Sequence, residues 1–141
     1  KANFFSKYVD YPVISDDSGL CIKALNQKPG VYSARLAKKH GSFLKAMMYI
    51  LKKMKNKKNR SATFVCSLSL KYPKKKTINV TGRLKGTISK KILGKNGFGY
   101  DPIFVPSNYK KTFGEMIKSK KIKIDHRYIA FKMLKKKIKT L

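Results

Sequence analysis

Acidic side chains are nearly missing from this chain: six, against 35 lysines and arginines in 141 residues, for a formal charge of +29. So positive a chain points first to a polyanion partner, nucleic acid or an anionic membrane surface. A second scarcity works against that. Arginine stands only at Arg35, Arg60, Arg83 and Arg127, and arginine is the preferred residue for forked contacts to phosphate and to base edges. Lysine spread everywhere, with abundant Ile, Asn, Tyr and Phe, reads as compositional drift rather than selection for a polyanion. Cysteine occurs twice, Cys21 and Cys66, in apolar strand-like stretches with no close histidine. That excludes a disulfide scaffold or a thiolate zinc site and leaves two reduced thiols. No apolar run approaches the length of a membrane-spanning helix, and the first residues do not read as a signal peptide. Internal repeats are missing too. Lys1 to Phe5 reads as the middle of a helix, so an upstream segment is expected.

What is present suffices for one domain, since hydrophobic residues make up 42% of the chain. Ser42 to Lys57 places Leu44, Met47, Met48, Leu51 and Met54 at helical spacing, with the methionines read as core filler. Phe64, Cys66, Leu68 and Leu70 alternate with smaller or polar residues. Ile78, Val80, Gly82 and Leu84 do the same after a connection at Tyr72 to Lys75, which predicts a hairpin. Ile103 to Val105 is a third strand candidate, closed by Pro106. Thr112 with Glu115 spells a capping box and predicts a short helix there. Asp125 is a natural N-cap for a last helix that runs from about His126 through Ile129, Met133, Leu134 and Ile138. The mixture is α/β.

Five of the six acids fall in three dense clusters. Asp16 and Asp17 adjoin at the end of an apolar run. Hard cations such as Mg²⁺ take oxygen ligands, and strand neighbours face opposite ways, so one of the pair would reach a given metal. The structural alternative is a corner in which both acids cap backbone amides. Gly97-Phe98-Gly99-Tyr100-Asp101-Pro102 flanks an aromatic ring with glycines, so a planar base could approach and stack; the alternative is a turn with core aromatics. His126-Arg127 opens the last helix, where amides favour anions or carbonyl oxygens and an arginine can bond O6 and N7 of a purine; the alternative is a surface arginine beside a structural histidine.

Taken in order, Asp16-Asp17-Ser18-Gly19-Leu20, Pro29-Gly30-Val31-Tyr32-Ser33-Ala34-Arg35, Gly82-Arg83-Leu84-Lys85-Gly86, Gly97 to Phe104, Thr112 to Met116 and His126-Arg127 closely resemble the inosine/xanthosine triphosphate pyrophosphatases. The resemblance runs from about Tyr11 to Leu134. It implies an elongated mixed α/β sheet with flanking helices, two lobes around a nucleotide cleft, a homodimer, Mg²⁺ and a cytoplasmic enzyme. Its reaction is hydrolysis of ITP, dITP or XTP to the monophosphate and pyrophosphate. Residue by residue, Asp17 matches the catalytic metal-binding aspartate and Ser18 a substrate contact. Phe98, Gly99, Tyr100 and Asp101 match the base-binding segment, Lys121 a substrate-binding lysine, and His126 and Arg127 the base-reading pair.

Two departures accompany the match. The family's Ser/Thr-x-Asn triphosphate loop with its lysine, and a metal-binding glutamate, are not among these residues and are expected upstream of Lys1. Residues 1–141 are therefore expected to form a single pyrophosphatase domain lacking its phosphate loop and a poor enzyme by themselves, with an exposed sheet edge. Asp125 stands where the family commonly has Ser. The rival readings are a basic nucleic-acid-binding protein and a degenerate, inactive copy of the enzyme. A one-sided basic stripe would favour the former, and an even coat would favour drift.

Overall fold

Strict alternation in the middle of the chain builds the sheet. The computed structural model describes residues 1–73 and 76–140; Lys74 and Lys75, in the expected connection, lie outside the described residues. After a short helix α1 (Ala2–Phe5) come β1 (Val13–Ile22), β2 (Lys28–Gly30), α2 (Ser33–His40), α3 (Phe43–Lys53), β3 (Ser61–Lys71), β4 (Thr77–Ile88), β5 (Phe104–Pro106), α4 (Lys118–Lys121) and α5 (His126–Lys139). The strands form one sheet in the order β2-β1-β3-β4-β5, and every pairing is antiparallel. The result is the expected α/β arrangement of a sheet with flanking helices. The β3–β4 hairpin forms as its alternation predicts, with Phe64 opposite Leu84 and Leu68 opposite Val80.

The inward face carries two adjoining cores. Leu20, Ile22 and Phe64 pack with Ala46, Met47 and Ile50 of α3 and with Phe104 and Phe113. Cys66, Leu68 and Val80 pack with Ala130 and Leu134 of α5. β3 and β4 pass through both, so the seam between the cores falls between Phe64 and Cys66, which pair with Leu20 and Ser18 of β1. Cys66 is buried, Cys21 is half-buried, and both thiols are free.

Three expectations need correction. First, α3 is rotated about its axis. Ala46, Met47, Ile50 and Met54 are the buried positions, while Leu44 and Met48 are 55% and 58% exposed. The stripe is centred on Ala46, whose small side chain lets the helix lie close to the sheet. Second, the capping box of Thr112 forms reciprocally but caps no helix. Thr112 N–H donates to Glu115 Oε2 at 2.8 Å, and Glu115 N–H to Thr112 Oγ1 at 3.2 Å. Helix growth stops because neighbouring backbone takes the same groups: Phe113 N–H donates to Phe104 O, Gly114 N–H to Asp101 O, and Gly114 O accepts from Asn96 N–H. The helix begins only at Lys118. Third, Ile103, the expected first residue of the third strand, belongs to a 3₁₀ turn over Asp101–Ile103. The last helix, α5, starts at His126 with Asp125 as its cap, as expected, and buries His126, Ala130 and Leu134.

Candidate active site

At the seam between the two cores lies a cleft of about 410 Å³, lined by residues 16 to 20 of β1, by Ser33 and Ala34 of α2, by Phe43 and Phe64, by residues 98 to 101, and by His126 and Arg127. It gathers eight of the nine predicted site residues. The ninth, Lys121, reaches its edge through an ion pair.

β1 separates the two adjacent carboxylates, because successive side chains on a strand face opposite ways. Asp16 and Ser18 share the α5 face. Asp16 Oδ2 accepts from Arg127 Nε at 2.5 Å, and Oδ1 accepts from the Ser18 hydroxyl at 3.0 Å and the Cys66 thiol at 3.8 Å. Burial pushes the Asp16 carboxyl upward, but Arg127, helped by Ser18, outweighs it and holds the group below the usual carboxylate range. Asp17 lies on the other face at the rim. Among the described residues its one ion pair is to Lys1 Nζ, at 3.4 Å between exposed side chains, an interaction that contributes little in water.

The 97–101 loop is shaped by glycine and locked by an ion pair. Gly97 and Gly99 take positive φ, +76° and +64°, which L side chains rarely adopt. A Cβ on Gly97 would meet Asp101 Oδ2 at 2.1 Å. Asp101 is 1% exposed. Its Oδ2 accepts from Phe98 N–H at 2.7 Å and pairs with Lys121 Nζ at 2.7 Å. Burial, partly offset by Lys121, leaves its carboxyl raised. Lys121 is buried as well, so removing either partner would strand a charge, at a cost of about 3–5 kcal/mol. The lock presents Phe98 to solvent with its ring 60% exposed. Lys121 Nζ lies 4.3 Å and Arg127 Cζ 5.1 Å from the ring centroid.

Tyr100 occupies the cleft floor in a structural capacity. Its ring is buried, its hydroxyl donates to Ser33 O at 2.7 Å, and burial pushes its pKa up to about 12. Ser33 in turn accepts from Leu20 N–H at 2.9 Å and donates to Gly30 O at 2.7 Å, tying α2 to β1. His126 is 3% exposed and stacks on Phe64, with centroids 4.7 Å apart and planes at 12°. Its Nδ1 is buried and has no hydrogen-bond partner among the described residues. Burial, with Arg127 and Lys121 nearby and only partly countered by Asp125, lowers its pKa to about 4. Asp125 is spent on capping, accepting from Tyr128 N–H at 2.8 Å.

Sequence reasoning did not single out Ser33, Phe43 or Phe64 for the cleft. Phe64 was legible only as an inward strand position, and Phe43 as an apolar residue off the buried stripe of its helix. The role of Asp16 toward Arg127 spans 111 positions and leaves no local trace. Among the described residues, no three His, Cys, Asp or Glu side chains converge on a metal-sized site. Of the two cleft carboxylates that reach solvent, Asp17 is the more exposed, 62% against 36% for the Arg127-bound Asp16, which suits an ion such as Mg²⁺ that keeps waters and takes substrate phosphates as its other ligands. Chemically, the cleft offers a stacking surface, a forked donor, an unsatisfied imidazole nitrogen and one open carboxylate.

Known proteins resemble this chain in sequence and in fold. The sequence profile of the Ham1 family matches residues 1–137. A dITP/XTP pyrophosphatase of Clostridium tetani is 43% identical over 130 residues, spanning 92% of this chain and 65% of that protein. One from an Exiguobacterium species is 40% identical over 138 residues, 98% of this chain and 70% of that protein. The chain thus spans about two thirds of the length of these relatives. The structure of the Staphylococcus aureus Ham1 protein superposes with a TM-score of 0.93 at 37% identity, covering 99% of this chain and 72% of that one. A HAM1 protein from Coxiella burnetii gives 0.91 at 33% identity, covering 99% and 73%.

Proposed function

This chain belongs to the Ham1 family, and from that premise we propose that it hydrolyses non-standard purine nucleoside triphosphates, ITP, dITP and XTP, to the monophosphate and pyrophosphate. The observation that carries the reading is the exposed Phe98 ring opposite Arg127 and the unpartnered His126 Nδ1, which together suit a purine edge. In this reading Phe98 stacks on the base, on a backbone that Gly99 and the Asp101–Lys121 pair hold in place. Tyr100 supports the floor from beneath. Arg127 donates to O6 and N7. Adenine is rejected because its 6-amino group is itself a donor. His126 stays neutral at physiological pH and offers Nδ1 to the same edge.

Asp17 would hold Mg²⁺ together with phosphate oxygens and water. When bound, the ion supplies charge neutralisation on the phosphates and lowers the pKa of water. The Asp17 carboxylate orients the attacking water and accepts its proton, and the attack displaces pyrophosphate. Ser18 lies beside it as a substrate contact. Residues 1–141 are read as one domain, the assembly as a homodimer and the compartment as the cytoplasm. Among the described residues no helix is long and apolar enough to cross a membrane.

The test is pyrophosphate release from ITP, XTP, GTP and ATP with Mg²⁺, using the protein with the expected segment upstream of Lys1 included. ITP and XTP should exceed ATP in kcat/KM by roughly ten- to a hundredfold, the size of discrimination that one forked base contact of about 1–3 kcal/mol supplies. Equal values for ITP and ATP would overturn the assignment.

A further inference from the structure

The two adjacent carboxylates of β1 have different partners, and the difference assigns a role to the first. We propose that Asp16 is a positioning residue for base recognition, holding the guanidinium of Arg127 so that its terminal nitrogens, and not its flat face, meet the purine. This rests on the purine reading of the cleft.

A guanidinium has three nitrogens in one plane. Asp16 Oδ2 takes the Nε–H of Arg127 at 2.5 Å, which restrains that plane, and among the described residues the Nη fork has no hydrogen-bond partner. The other oxygen of Asp16 is held by Ser18 and Cys66, so the carboxylate cannot swing away. Its backbone lies within ten-residue β1, paired along its length with β3. Asp16 thus has both oxygens engaged inside the protein and is poorly placed to ligate a metal, whereas Asp17 keeps its carboxylate open.

The tether matters because Arg127 has a competing place to lie. Its Cζ is 5.1 Å from the Phe98 centroid. A base stacked between ring and guanidinium would need two van der Waals layers, roughly 7 Å in all. Left alone, a guanidinium settles on an aromatic face through its cation–π attraction and would occupy the place of the base. Asp16 ties Nε to β1, so when the ring is surrendered to the purine the guanidinium stays anchored and its fork remains at the base edge.

The experiment is a double-mutant cycle read by binding, with ITP and ATP titrated onto the protein in EDTA, where turnover is stopped. The variants are Asp16→Asn, Arg127→Ala and the pair. Asp16→Asn should weaken ITP by roughly tenfold or more, the size expected of a forked base contact, and should narrow the ITP-over-ATP ratio. In the Arg127→Ala background the same change should add nothing. Asp16→Glu, which keeps the carboxylate, should recover part of the affinity. Asp17→Asn should bind ITP within about threefold of wild type yet lose ~10²–10⁴-fold in kcat when metal is restored. Additive losses in the pair would overturn the proposal, as would an Asp16→Asn protein with undiminished preference for ITP. A wild-type protein that binds ITP well and obeys the cycle but hydrolyses nothing would support the tether and refute only the reaction. One that does not distinguish ITP from ATP would refute both.

Discussion

His126 shows what the site demands of a single residue. A buried imidazole with an unpartnered nitrogen is costly, and the protein bears that cost by keeping it neutral. Its folded pKa of about 4 lies below the ordinary value near 6.5. Between those values the unfolded chain binds a proton that the folded protein does not, so stability rises with pH across this window and falls as acid is added. The loss on going from pH 7 to pH 4 should be on the order of 3 kcal/mol. Asp101, whose carboxyl is raised, acts in the opposite sense at the acid end. Urea unfolding of the wild type and His126→Gln at several pH values isolates the histidine. The variant's stability should be flatter between pH 4 and 6.5, and parallel curves would exclude this account.

At the level of elements, α5 and β4 are joined through a missing side chain. A Cβ on Gly82 would stand 2.3 Å from His126 O, 2.4 Å from Ala130 N and 2.8 Å from Ala130 Cβ. Two of those three atoms are backbone and cannot yield without moving the helix. Gly82→Ala should therefore cost about 1–3 kcal/mol or more, read as a lower urea midpoint, and should weaken ITP binding because Arg127 rides on the displaced first turn. A variant as stable and as tight as the wild type would show that the helix is free to shift. The same notch explains what the sequence revealed of this region and what it hid. The Asp125 cap and the start of α5 were legible because capping is local. The buried face was not, because Gly82 draws Ala130 inward from 48 positions away. The β3–β4 hairpin was legible from period-two alternation alone. The capping box at Thr112 misled because its geometry is right while its backbone groups are claimed by residues 96 to 104. Among site residues, Phe98, Asp101 and the His126-Arg127 pair stood out in compact motifs. Ser33, Phe64 and the tie from Asp16 to Arg127 depend on strand register, which no short window contains.

Over the whole molecule, positive charge is spread rather than gathered. Lysines line a groove along α5 (Lys132, Lys135, Lys136), another beside the end of α3 (Lys52, Lys55, Lys58) and a third near Tyr109 (Lys110, Lys111, Lys120). One of the four arginines is structural: Arg60 donates to Ile88 O, Met54 O and Ser89 O. An even coat of like charge repels itself and works against compactness. Raising NaCl from about 10 mM to about 150 mM shortens the screening length from ~30 Å to ~8 Å, so Tm should rise by a few degrees; a falling Tm would mean that attractive pairs dominate. The rigidity of α5 against the sheet also bears on timing. One wall of the proposed purine slot is packed tightly on β4 at Gly82, and the opposite wall is a solvent-exposed ring on a locked loop. Admitting a base then asks for side-chain motion of the Phe98 ring and the Arg127 guanidinium beside it, on picoseconds to nanoseconds, and not a hinge of microseconds or longer. Capture can keep pace with diffusion, and the enzyme would tell one purine from another by how long each remains, not by how quickly each arrives.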